Sequence, residues 1–326
     1  MTRPFRIATR GSALALAQAN LVLGHCRAAF PDMTFELNII KTTGDKLQTA
    51  SLSAPELPKG LFTKEIEEAL LSGEADLAVH SLKDLPTELP PGLTLGAVGE
   101  RADPRDVLIY RDAGGPTTSC HPPRRFASGL TLAWLPHAAI VATSSHRRRA
   151  LLLDRRPDLQ VVPIRGNVGT RLRKLADQPG LDALILAAAG LIRLGFWSAG
   201  EPSLHSDDVP SGLLVTPLSP EEMPPCVGQA ALGLEVREGD TRAARICATL
   251  DHAATHACVA AERAFLRAMG GGCHTALAAH AETRNGSLRL RVVSFLDLKP
   301  RHGEIVGPPR EAELLGERLA AQLRSS

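Results

Sequence analysis

Short apolar runs alternate with amphipathic stretches along the first hundred residues. Phe5-Arg6-Ile7-Ala8 reads as a strand, and Ala13 to Phe30 as a helix with Ser12 as its N-cap. Phe35 to Ile40 is a second strand, Thr63 to Leu71 an amphipathic helix stopped by Gly73, and Ala75 to His80 a third strand. Strand and helix periods that alternate in this way predict an α/β unit around a parallel or mixed sheet. Gly44 to Gly60 is polar and aperiodic, and a loop of that length inside a compact unit predicts a functional lid.

The same alternation restarts near Asp103. Strands are expected at Ile140 to Ala142, Val161 to Ile164 and Ala183 to Leu186. Helices are expected over His146 to Arg155, Val168 to Ala176 and Ala188 to Leu194. Segments 112–138 and 198–226 are rich in Pro, Gly and Ser and read as surface connections. Towards the C-terminus the pattern changes to a helix over His252 to Met269, a Gly-rich turn, a strand over Leu288 to Phe295 and a last helix from Glu311. That predicts a small α+β domain.

Composition narrows the function classes. The 326 residues are 44% hydrophobic, enough for two or three cores, but only 3% aromatic, so aliphatic packing dominates. No apolar run is long enough to span a bilayer, and the N-terminus lacks a signal-peptide core; a cytosolic protein is expected. The cysteines show no CxxC pair or His/Cys spacing, so neither a disulfide framework nor a metal site is predicted. A formal net charge of +2 and few stacking rings argue against nucleic acid as a partner.

Charge is concentrated rather than spread. Between Ser144 and Arg173 stand Arg147, Arg148, Arg149, Arg155, Arg156, Arg165, Arg171 and Arg173, against only Asp154 and Asp158. The guanidinium fork pairs two-to-two with carboxylate or phosphate, so this folded stretch predicts a seat for a polyanion. Three segments repeat one design, a strand followed by a polar turn that starts a helix: Ala8 to Ser12, Ala142 to Ser145 and Arg165 to Arg171. Free N–H groups at such turns suit an anion, although Ser or Thr there also serves simply as a cap. Two further features carry chemistry. Val79 to Pro86 ends a strand on Ser81, Lys83 and Asp84, where a carboxylate could exchange protons. Gly270-Gly271-Gly272-Cys273 lifts one thiol off a helix end, an arrangement suited to covalent attachment.

These residues fall into a recognisable set. Arg6 to Arg10, Lys59 to Phe62, Ala75 to Asp84, Asp103 to Asp106, Thr143 to Arg148, Arg155 to Leu159, Arg165 to Arg171, Ala189 to Gly195, Val227 to Gln229 and Ala261 to Arg263 resemble, in order, the motifs of the hydroxymethylbilane synthase (porphobilinogen deaminase) family. The resemblance covers nearly the whole chain. It implies two α/β domains of the type II periplasmic-binding-protein kind flanking a cleft, plus a small C-terminal α+β domain. The implied domains are 1–99 with 231–248, 100–230, and 249–326.

The implied activity is a transferase that joins four porphobilinogens head to tail, with loss of ammonia, onto a dipyrromethane primer thioether-linked to Cys273. Water then releases hydroxymethylbilane. By resemblance the catalytic residues are Asp84, the carboxylate that stabilises the cationic azafulvene, and Lys59, on the lid segment. Cofactor contacts fall on Ser81, Lys83, Asp84, Thr143, Ser144, Ser145, Arg147, Arg148, Arg165, Gly166 and Asn167. Substrate contacts fall on Arg10, Ser12, Gln18, Arg148, Arg165, Arg171, Arg193 and Gln229. A cytoplasmic monomer is implied. The alternative is a non-catalytic protein of the same fold that binds carboxylate ligands or tetrapyrroles. Two departures stand out. The family's Val-Gly-Gln-Gly is here Val227-Gly228-Gln229-Ala230, so a positive φ at residue 230 would strain the crossover. The proline that usually follows the cysteine loop is absent after Cys273.

Overall fold

A computed structural model describes residues 3–44, 63–114, 123–272, 275–297 and 299–325. The Gly44–Gly60 segment with Lys59 lies almost entirely outside these residues, as does Cys273.

Two five-stranded sheets share one topology. The first has the order β2-β1-β3-β10-β4, from β1 (Phe5–Arg10), β2 (Phe35–Ile40), β3 (Leu77–Ser81), β4 (Leu93–Val98) and β10 (Leu232–Arg237). The second has the order β7-β6-β8-β5-β9, from β5 (Asp106–Arg111), β6 (Ile140–Ala142), β7 (Gln160–Val162), β8 (Ala183–Ala187) and β9 (Leu213–Pro217). In each, the strand next to the edge is antiparallel to both neighbours: β10 between β3 and β4, and β5 between β8 and β9. The chain therefore crosses between sheets twice, from β4 to β5 and from β9 to β10. This doubled order is the type II arrangement that the resemblance implies.

Helices cover both faces of the first sheet, which explains why β1, β3 and β10 are buried along most of their length. Ile7, Leu77 and Val79 pack with α1 (Ala13–Ala29) and α6 (Thr241–Leu250), while Ala8 and Ala78 pack on Ile66 and Leu70 of α2 (Lys64–Leu71). The second sheet carries α3 (His146–Arg155), α4 (Val168–Asp177) and the short α5 (Ala188–Arg193).

The C-terminal unit is a three-stranded antiparallel sheet, β11 (Leu277–Arg284), β12 (Ser287–Ser294) and β13 (Arg301–Gly307), with α7 (Ala253–Ala268) and α8 (Ala312–Ser325) on one face. The two helices cross closely at Gly316, where a Cβ would stand 2.3 Å from the Ala261 carbonyl oxygen. Glu262 of α7 joins this unit to both crossovers. It takes Arg101 on both oxygens at 2.7 and 2.8 Å and accepts the N–H groups of Gly228 and Ala281 at 2.8 and 2.7 Å.

One sequence expectation is corrected here. Segments 112–138 and 198–226 are not merely surface connections: Leu130, Leu132 and Leu135 of the first are buried against β5 and β6, Leu204, Val209, Leu213 and Val215 of the second are buried on the opposite face, and β9 forms a sheet edge. The five-residue strand is too short, and too closely flanked by Pro, Gly and Ser, to show a period.

Candidate active site

The parallel strands of both sheets point their C-terminal ends at one cleft, the usual ligand position in open α/β sheets. Arg10 and Ser12 follow β1, Ser81 to Asp84 end β3, Thr143 to Arg148 follow β6, Gly166 to Arg171 follow β7, and Arg193 closes α5 after β8. A cavity of ≈ 560 Å³ lies between them, lined by Arg10, Ser12, Gln18, Ser81, Lys83, Asp84, Arg148, Gly166, Asn167, Arg171 and Arg193, together with Arg173 and Asp208. Its ionic side chains are six cations and two carboxylates, a balance that calls for an anionic occupant.

The turns around this cavity are held by their own side chains. Ser12, Ser145 and Asn167 cap their helices, accepting from the N–H groups of Ala15, Arg148 and Thr170. Ser144 Oγ donates to the Ile164 carbonyl at 2.6 Å and accepts from Ile164 N–H, stitching the ends of β6 and β7. Gln18 and Ser81 hydrogen-bond at 2.8 Å, joining α1 to β3.

Asp84 is exposed and ends a single 3-10 turn, Leu82–Asp84. A second cavity, ≈ 220 Å³, adjoins it and is lined by Lys83, Asp84, Ser144, Ser145, Arg147, Arg148, Cys226, Gln229, Arg263, Gly272 and Thr275. Lys83, Asp84 and Arg148 therefore face both cavities. Gly272 and Thr275 are the described residues on either side of Cys273 and His274, so the smaller cavity leads to the foot of the cysteine loop.

Arg147 and Arg148 are buried and fork onto one carboxylate. Their Nη2 atoms reach separate oxygens of Asp106, each at 2.7 Å, and Gln229 donates to the same group at 2.9 Å. Burial alone would raise the Asp106 pKa; the two guanidiniums outweigh it and hold the carboxyl well below the usual range. Each arginine keeps a buried Nε that has no hydrogen-bond partner. Both guanidiniums are thus committed to the protein's own anion, while Lys83 and Ser145 line the smaller cavity beside them. Arg171 and Arg193 are pushed below the ordinary arginine value by burial, Arg193 to about 10, and both remain cationic at neutral pH. Asp84, which lines the same cavity, acts in the opposite sense on Arg171.

Not every expected residue faces a cavity. Thr143 is buried, its Oγ1 accepting from Ser145 N–H, and Arg165 is exposed; neither lines either cavity. Gln229 is 1% exposed and also donates to the Pro104 carbonyl, so its amide serves the crossover. Arg173, one of the eight clustered arginines, is exposed and stands at the rim of the larger cavity. Asp106 and Arg263 lie in recognised motifs but had drawn no role; only their distant partners reveal one. Asp208 sits in a segment read as a connection and gave no signal.

A sequence model described as "Porphobilinogen deaminase, dipyromethane cofactor binding domain" matches residues 5–245, and "Porphobilinogen deaminase, C-terminal domain" matches residues 256–325. The chain belongs to the porphobilinogen deaminase family. It is 46% identical to the porphobilinogen deaminase of Desulforudis audaxviator over 99% of this chain and 95% of that one. Identity to the porphobilinogen deaminase of Syntrophomonas wolfei is 43%, covering 98% and 95%, and to that of Sorangium cellulosum 42%, covering 99% of each. Among solved structures, the BenM effector binding domain with benzoate aligns with 76% of this chain and 90% of that chain at 14% identity and a TM-score of 0.41. Within the porphobilinogen deaminase family match, the cofactor-binding description covers both sheets and both crossovers.

Proposed function

We infer that the chain is a transferase that condenses four porphobilinogens head to tail, releasing ammonia at each addition, and yields hydroxymethylbilane. One observation carries the assignment of roles: Asp84 stands where a cation-lined cavity meets a second cavity leading to the residues that flank Cys273. Held on Cys273, dipyrromethane would supply the free α-carbon that takes the first ring, and each added ring would supply it for the next. Lys83, Ser145, Arg147 and Arg148, which line the smaller cavity, are suited to hold its carboxylates.

Porphobilinogen brings an acetate and a propionate. Arg10, Arg171 and Arg193 present guanidinium forks to them in the larger cavity, with Ser12 beside Arg10. The Asp84 carboxylate accepts a hydrogen bond from the pyrrole N–H. It stabilises the positive charge that develops as ammonia departs and takes up the proton released when the rings join. Lys59 belongs to the segment proposed to close over the site. A cytoplasmic, monomeric enzyme fits this reading, and no described helix is long and apolar enough to cross a membrane.

The test is Asp84→Asn. The variant should fold and carry a mass increment of two linked pyrroles, while turnover falls by about a hundredfold or more. Turnover near the wild-type rate would remove Asp84 from the chemistry.

A further inference from the structure

The turn that carries Asp84 is tied at both ends. At its start, Leu82 N–H donates to the Ala231 carbonyl at 3.1 Å. At its end the tie is made by a residue from another unit. Arg263, on α7, donates through Nη1 to the Leu85 carbonyl at 3.1 Å and through Nη2 to the Pro86 carbonyl at 2.6 Å. Those are the carbonyls of the two residues that follow Asp84. The residue is buried, with 8% of its surface exposed.

The helix that provides this fork also leads into the cysteine loop. Gly271 N–H caps the end of α7 by donating to the Leu266 carbonyl at 3.0 Å, and Leu266, Gly272 and Thr275 line the smaller cavity together with Arg263 and Asp84. One rigid helix thus grips the carboxylate turn at one point and launches the primer loop a few residues later. The adjacent residue, Glu262, fixes that helix to both crossovers.

We propose that Arg263 is a positioning residue: it sets the placement of Asp84 relative to the loop of Cys273 by clamping the Leu85 and Pro86 carbonyls onto α7. A planar fork suits this, because two consecutive carbonyls held by one guanidinium cannot rotate independently. The proposal rests on the reading of Asp84 as the catalytic carboxylate. Arg263 acts through that residue and does not itself touch the reacting atoms.

The experiment is a double-mutant cycle in the purified holoenzyme, using Arg263→Gln, Arg263→Lys, Asp84→Asn and the two double variants. Intact mass, thermal unfolding, kcat and KM are recorded for each. Arg263→Gln should keep the two-pyrrole mass increment and a KM within about threefold of wild type, while kcat falls at least about tenfold, since small misplacement of a catalytic group is costly. Arg263→Lys, whose ammonium can reach one carbonyl, should recover part of that loss. In the Asp84→Asn background neither substitution should lower kcat further, because the effect passes through Asp84. Wild-type kcat in both single variants overturns the proposal. So does loss of the mass increment, or a decrease fully additive with Asp84→Asn; each would mark Arg263 as a general structural residue. If Arg263→Gln does not fold, Arg263→Lys decides by the same criteria. An active Asp84→Asn enzyme, by contrast, defeats the underlying reading and the proposal with it.

Discussion

Arg193 donates to the carbonyl oxygen of Ala230 at 2.6 Å, and Ala230 holds a φ of +70° to present that oxygen. The same carbonyl accepts the N–H of Ala102 at 3.2 Å, so a residue in the left-handed region joins both crossovers to a cavity arginine. A β-carbon in that region costs about 1–2 kcal/mol, partly offset by the extra unfolded-state entropy of glycine. Ala230→Gly should therefore stabilise the protein by up to about 1 kcal/mol, raising the melting temperature by roughly 1–2 °C. The reverse change nearby, Gly228→Ala, should destabilise, because φ there is +67° and a Cβ would press within 3.2 Å of Lys83 N. Thermal unfolding of both variants checks the pair. A lower melting temperature for Ala230→Gly would remove the strain argument.

Asp106 sets the acid limb of stability. Its carboxyl is held far below the ordinary value of 3.8 in the fold and returns to it on unfolding. The stabilisation is thus complete above roughly pH 4 and disappears as pH falls below it, because the unfolded chain then binds the proton more readily. Asp106→Asn leaves two buried guanidiniums without their anion and should cost about 3–5 kcal/mol at neutral pH. Its stability should also vary less with pH below pH 4 than that of the wild type. Denaturant titrations at several pH values provide both readings, and parallel acid limbs would refute the assignment.

How much of this was legible along the chain depends on the range of the interaction. Helix α3 and strand β6 begin and end where the pattern predicts, because caps and short apolar runs are local. Strands β5 and β10 were missed: their neighbours come from distant parts of the chain, and Leu232-Gly233-Leu234-Glu235 carries a buried Glu235 bonded to His80, 155 positions away. Strand β13, Arg301–Gly307, alternates half-buried Arg301, Gly303, Ile305 and Gly307 with exposed His302, Glu304 and Val306, so it shows little apolar contrast and resembles a loop. The arginine cluster itself was visible, but not where each fork goes. Arg156 turns back to Asp158 and to the Leu132 and Leu135 carbonyls, Arg149 reaches the Val161 carbonyl, and Arg147 with Arg148 depends on Asp106, far upstream. Residue type announces an anion-pairing fork; only the fold decides whether the anion is a ligand or the protein's own.

Arg171 and Arg193 provide the contrast. Burial disfavours their charge and no carboxylate of the chain is bonded to either guanidinium in the described hydrogen bonds; on the proposed reading, a substrate carboxylate would give them what Asp106 gives Arg147. Arg171→Gln and Arg193→Gln should each raise KM for porphobilinogen about 10- to 100-fold, the worth of one charge-assisted pair. Arg171→Lys should lose less than Arg171→Gln. Steady-state kinetics at fixed ionic strength measure this, and an unchanged KM in both glutamine variants would place the substrate carboxylates elsewhere.

Glu262 concentrates the contacts among all three sheets on one carboxylate. Arg101 is raised above its ordinary value although its burial acts against the charge, since Glu262 outweighs that burial. Glu262→Gln removes the anion from a 0%-exposed position and leaves Arg101 paired only with neutral oxygens, among them the Ala281 carbonyl at 3.3 Å. A loss of about 3–5 kcal/mol is expected. Arg101→Gln should cost less, because the two N–H donors from Gly228 and Ala281 still serve the carboxylate. The double variant should be more stable than the two single losses summed, by about 2 kcal/mol, since it buries neither charge unpaired. Unfolding measurements on the four proteins of the cycle give that coupling directly. Simple additivity would mean that Glu262 works mainly through its backbone N–H partners, with Arg101 a bystander at the crossover.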